Sequence, residues 1–197
     1  MNSRNRAAKV EADWERLSAA MLKAEWVHRV RDLLDPGEPA VPSYAGVYAF
    51  WWMGSRRKLM QANLNIRLAG PGGEKKDVEY QDWRPDGIDY PCLYVGRTTN
   101  LRKRFGQHLL RGTPERAHKR LDENDKAKPK TTTCQLRFGI EHVFPAEACP
   151  DPLALIEKEV GFSWYAGFDD NQVAERFFAE YQLVGHLRPW FNIDSER

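Results

Sequence analysis

The 197-residue chain reads as an α/β (α+β) protein, with short apolar strands separated by amphipathic helices. Three observations carry this reading. Residues 46–52 (GVYAFWW) and 92–96 (CLYVG) are continuous runs of β-branched and aromatic side chains, suited to buried strands. Residues 171–187 repeat apolar side chains at helical spacing and are closed by Pro189. The whole is 42% hydrophobic and 29% charged, ordinary for a globular protein, and no apolar run is long enough for a transmembrane span.

The elements follow in order. Val10, Trp14, Leu17, Met21 and Ala24 mark a helix over 6–34, stopped at Asp35-Pro36-Gly37. A Pro-rich link over 36–43 leads to the strand 46–52. Residues 1–43 therefore read as a helical arm and linker, and 44–197 as the main domain. Residues 59–68 alternate Met60, Ala62, Leu64, Ile66 and Leu68 with polar side chains, which predicts a half-buried strand. Gly70-Pro71-Gly72-Gly73 turns the chain into a second, more polar strand at 75–83, so 54–90 reads as a β-hairpin excursion. After the strand 92–96, Thr99 or Asn100 can cap a helix over 100–111. A short helix at 114–121, a charged loop at 122–132, a strand at 133–144 and helices at 151–165 and 171–187 complete the expectation.

The N-terminus is polar and lacks the apolar core of a secretory signal. The three cysteines (Cys92, Cys134, Cys149) are scattered, which excludes a disulfide framework and a four-Cys zinc site and fits a reducing cytoplasm. The net charge of +2 is uninformative, but its distribution is not. Residues 97–130 hold 11 basic and 4 acidic side chains, a net +7, which leaves −5 elsewhere. Such an island is either a solvated helix face or the footprint of a polyanion.

Two helices carry polar groups where apolar ones are expected. With about 100° per residue, Leu101, Phe105 and Leu109 form one stripe, His108 falls inside it and Arg104 lies at its edge. On the last helix Phe177, Tyr181, Val184 and Leu187 form the expected inward stripe, and Glu180 lies within that arc. An inward carboxylate needs a pairing cation, hydrogen bonds or a metal. A buried Arg104–Glu180 salt bridge with one satisfied core histidine would meet that need, and so would a functional site.

Gly46-Val47-Tyr48 and Tyr94-Val95-Gly96 resemble the two halves of the GIY-YIG nuclease signature. Arg104 follows Tyr94 by ten residues, His108 comes next, and Glu180 on a late helix is followed by Leu183, Pro189 and Asn192, which is that family's order. The resemblance covers about residues 44–108 and 171–193. It implies a three-stranded mixed sheet flanked by helices, here drawn from 46–52, 92–96 and 133–144. It also implies a DNA endonuclease dependent on one Mg²⁺ or Mn²⁺ per active site, leaving 5′-phosphate and 3′-hydroxyl ends. The functional positions it implies are Tyr48, Tyr94, Arg104, His108, Glu180 and Asn192. Two departures stand out: residues 53–91 separate the two halves, as in restriction-type members, and Arg97 stands where Lys is common. Arginine does not readily deprotonate, so Arg97 is not a base.

These residue types suit phosphodiester hydrolysis. Glu180 is the expected metal ligand, since Mg²⁺ accepts a lone carboxylate and keeps its waters. Arg104 offers a planar fork to phosphate oxygens. Tyr94 is the expected general base, its phenolate favoured by nearby cations, and Tyr48 helps to orient the water. His108 relays a proton or positions a tyrosine hydroxyl, and Asn192 supports the site through backbone. Arg97, Arg102, Lys103 and Arg111 are expected to contact DNA phosphates. The hairpin is a candidate reader of the major groove, and the N-terminal helix a candidate dimer element. The rival expectations are a structure-specific repair nuclease and a catalytically silent DNA-binding module.

Overall fold

A strand buried along its whole length needs a core on each side, and Gly46–Trp52 has both. The computed structural model describes residues 3–34, 40–69, 75–110, 120–121, 127–128 and 135–192. In chain order its elements begin with α1 (Ser3–Met21), β1 (His28–Arg29), β2 (Gly46–Trp52), α2 (Arg56–Met60), β3 (Asn65–Ala69) and β4 (Lys75–Glu79). They continue with β5 (Cys92–Thr98), α3 (Leu101–Leu110), β6 (Arg120–Leu121), β7 (Ala127–Lys128), α4 (Gln135–Val143), α5 (Pro152–Glu159), β8 (Val160–Tyr165) and α6 (Val173–Leu187).

Four strands pair in the order β1-β8-β2-β5, and every pairing is antiparallel. The expected three-stranded mixed sheet is thus corrected in both strand number and direction. Alternation along β2 divides the molecule. Tyr48, Phe50 and Trp52 enter a core with Leu101, Phe105 and Leu109 of α3, Leu136 and Ile140 of α4 and Ile156 of α5. Val47, Ala49 and Trp51 enter the other core with Leu17 and Met21 of α1 and Ala179, Leu183 and Leu187 of α6. Leu17, Met21 and Val27 thus tie the N-terminal segment into this core, and His28–Arg29 forms β1, which pairs His28 with Phe162. The expected long first helix ends at Met21 instead of continuing to 34.

Two segments exchange their expected roles. Residues 135–143 are helical, not a strand: Leu136, Ile140 and Val143 share one buried face, and Arg137 pairs with Glu141 one turn on (3.0 Å). The third long strand comes instead from the second half of the expected helix 151–165. Asp151 caps α5 through Leu153 N and Ala154 N (both 3.0 Å), and the helix gives way at Val160 to the β-branched and aromatic run of β8.

In the excursion, Ser55 caps the short helix α2, so the expected strand at 59–68 begins only at Asn65. β3 and β4 pair as a separate antiparallel hairpin. Its glycine-rich turn, Arg111 and most of the expected helix 114–121 lie outside the described residues, and Arg120–Leu121 forms a strand with Ala127–Lys128. The return leg is fastened to the core: Tyr80 stacks on Trp190 (5.4 Å between ring centres) and Trp190 Nε1 donates to the Gln81 carbonyl (2.8 Å). Among the described residues no helix is long and apolar enough to cross a membrane.

Candidate functional site around strand β5

The two tripeptides become neighbours because β2 and β5 pair so that Tyr48 faces Gly96. A Cβ on Gly96 would collide with the Tyr48 hydroxyl, so the glycine makes the space in which that hydroxyl sits. Gly46 has a similar reason: a Cβ there would strike the Tyr165 carbonyl and the Leu101 side chain, separating β2 from β8 and from the start of α3.

The α3 side of the sheet gathers four of the expected residues. Tyr48 is 1% exposed and His108 0%, and Tyr48 Oη lies 2.8 Å from His108 Nε2. Arg104 Nε donates to the same hydroxyl (3.1 Å) and its Nη1 reaches Gln107 Oε1 (3.3 Å). With Arg104 donating into the oxygen, the hydroxyl proton can point at His108 Nε2, which then presents its lone pair. The buried Tyr94 ring sits 5.2 Å from the His108 ring and 6.1 Å from that of Tyr48. The Arg104 guanidinium also interacts with the Tyr94 hydroxyl. Burial works to lower the Arg104 pKa, but its contacts with the Tyr48 and Tyr94 hydroxyls outweigh this and hold it above the ordinary value.

The start of α3 is held by its own neighbours. Asn100 Oδ1 accepts from Lys103 N (2.8 Å), while Leu101 N and Arg102 N donate to the carbonyls of Tyr44 and Pro42 (2.9 and 3.0 Å). Of the expected phosphate contacts, Arg102 and Lys103 are exposed, and Arg102 Nε is tied to the Val41 carbonyl (2.9 Å).

Arg97 and Glu180 belong to the other side of β5. Glu180 pairs with Arg97 through Nη1 and Oε2, not with Arg104, so the expected Arg104–Glu180 bridge is not formed. The Arg97 guanidinium also lies over the Phe177 ring, 3.2 Å from its centre. The phase of α6 differs from expectation. Arg176, Ala179, Leu183 and Leu187 are buried, whereas Phe177 and Tyr181 are exposed, and the Glu180 side chain stays 17% exposed beside the buried line. Arg176 can occupy a buried position because its guanidinium donates to the Asp169 and Asp170 carbonyls (2.7 and 3.2 Å).

Asn192 stands at the outer edge of β5. Its Nδ2 donates to the Val95 carbonyl and its Oδ1 accepts from Val95 N, both at 2.8 Å. The side-chain amide thus replaces a strand's backbone pair. Phe191 and Trp190, packed on Gly139 and Tyr80, hold this segment in place. Tyr80, Trp190 and Phe177 carry positioning roles that sequence reasoning missed. The only signal for them was aromatic side chains close to motif residues.

Among the described residues no three His, Cys, Asp or Glu side chains form a metal cage. A part-exposed single carboxylate such as Glu180 matches a hard cation that keeps several waters. Thiolate ligation is disfavoured at Cys92, whose pKa is pushed up by burial. No protein-family model, curated protein or solved structure matches the chain.

Proposed function

We propose that the protein is a divalent-metal-dependent DNA endonuclease of the GIY-YIG type. The observation that carries this reading is the convergence on β5: Arg104 bonds the Tyr48 hydroxyl and interacts with that of Tyr94, with His108 behind Tyr48 and Asn192 on the strand's outer edge. Periodicity alone does not require those groups to meet. In this reading Tyr94, less enclosed than Tyr48, takes the proton of the attacking water, helped by the adjacent Arg104 cation. Water oxygen bonds to phosphorus, the bond to the 3′ oxygen breaks, and that oxygen takes a proton from solvent. Tyr48 and His108 hold Arg104 and the hydroxyl array in place, which removes reorganisation from the step. Glu180 would hold Mg²⁺ or Mn²⁺, which supplies Lewis-acid stabilisation of the leaving oxygen when bound. The exposed bases Arg102 and Lys103 bind backbone phosphates in a salt-dependent way.

The test is incubation of supercoiled plasmid with wild type and Glu180→Ala, each with Mg²⁺, with Mn²⁺ and with chelator. Cleavage by wild type with metal alone, giving ends that ligase rejoins, is the expected result. DNA binding without cleavage under any divalent metal would replace this reading with a silent DNA-binding module.

A further inference from the structure

The expected metal ligand already has a cation. Glu180 Oε2 is paired with Arg97 Nη1, and Phe177, one turn earlier on α6, places its ring over the same guanidinium at 3.2 Å. The helix thus grips Arg97 with a carboxylate and an aromatic face. Arginine keeps its charge at every working pH, so this pair cannot be released by deprotonation. A dication and a guanidinium cannot both sit against one carboxylate oxygen without strong repulsion. Yet the grip is at the rim: the Arg97 side chain is 32% exposed and Phe177 41%. A planar guanidinium at a rim is suited to bind phosphate oxygens two at a time.

We infer that Arg97 guards Glu180: held there by the Phe177 ring, it competes with a divalent cation for the carboxylate until a DNA phosphate draws it away. Phe177 is then a positioning residue, acting through Arg97. Metal and DNA binding are coupled in consequence, each strengthening the other by the same factor. The inference rests on the nuclease reading's choice of Glu180 as metal ligand.

The experiment measures Mn²⁺ binding by electron paramagnetic resonance on the whole protein, without DNA and with a phosphorothioate duplex that resists cleavage. Without DNA, Arg97→Ala should bind Mn²⁺ on the order of tenfold tighter than wild type. Phe177→Ala should bind a few-fold tighter, and Phe177→Trp, which keeps an aromatic face for the cation, should restore the weak wild-type affinity. Adding the duplex should tighten Mn²⁺ binding to wild type but not to Arg97→Ala. Unchanged or weaker Mn²⁺ binding by Arg97→Ala, or an equal effect of DNA on both proteins, would overturn the guard. The double variant Arg97→Ala/Glu180→Gln separates the two failures. If it binds Mn²⁺ as tightly as Arg97→Ala, Glu180 is not the ligand, and it is the nuclease reading's metal assignment that falls.

Discussion

The two sides of β5 hold their polar groups in opposite ways. On the α3 side Tyr48, His108 and Arg104 satisfy one another inside the protein, with Tyr48 and His108 almost wholly out of water. On the α6 side Arg97 and Glu180 meet at the rim, each still in contact with solvent. An enclosed network fixes geometry but punishes the loss of any member. A rim pair contributes little stability and can change partners cheaply. One strand therefore carries a rigid half and an exchangeable half.

Substitutions at four positions can break or sharpen that contrast. Arg104→Ala removes a cation that serves both tyrosine hydroxyls and should slow plasmid cleavage by about 10²–10³. Arg104→Lys should recover little of this, because a point charge does not reproduce the fork; full recovery in the same assay would mean that charge alone suffices. Asn192→Ala leaves both backbone groups of Val95 without their amide partner and should cost about 2–4 kcal/mol in urea unfolding. Gly96→Ala presses a methyl group against the Tyr48 hydroxyl. A loss of about 1–3 kcal/mol is expected, with cleavage falling in parallel; a variant as stable and active as wild type would show that the close approach is unimportant. Smallest of all should be Arg97→Met, within about 1 kcal/mol of wild type by thermal unfolding. A larger loss there than in Gly96→Ala would erase the distinction between the two sides.

Much of this was legible in the sequence, for physical reasons that differ by element. β2 and β5 stand out because both faces of β2 and most of β5 are covered, leaving uninterrupted apolar runs bounded by polar residues. Arg104 and His108 were visible as polar interruptions of the Leu101–Phe105–Leu109 stripe, and Glu180 as an inward carboxylate. β8 was hidden because α5 passes into it at Val160 with no Gly or Pro between them. The sequence of α4 reads as a strand by its apolar run, although Arg137 and Glu141 stand one turn apart, a spacing that suits a helix. The partner of Glu180 depended on strand register and on the rotation of α6 by about one residue, and neither is encoded in local periodicity. Tertiary packing turned Phe177 outward to meet Arg97.

Asn192 has a consequence outside the chemistry. β5 is the last strand of the sheet, and a bare outer strand is an open invitation for another chain to add alongside it. By occupying both Val95 backbone groups, a single side-chain amide stops such a ladder in the middle of the strand. The same contact that steadies the strand between Tyr94 and Gly96 therefore also protects against sheet-to-sheet aggregation, and Asn192→Ala should associate in solution at concentrations where wild type does not.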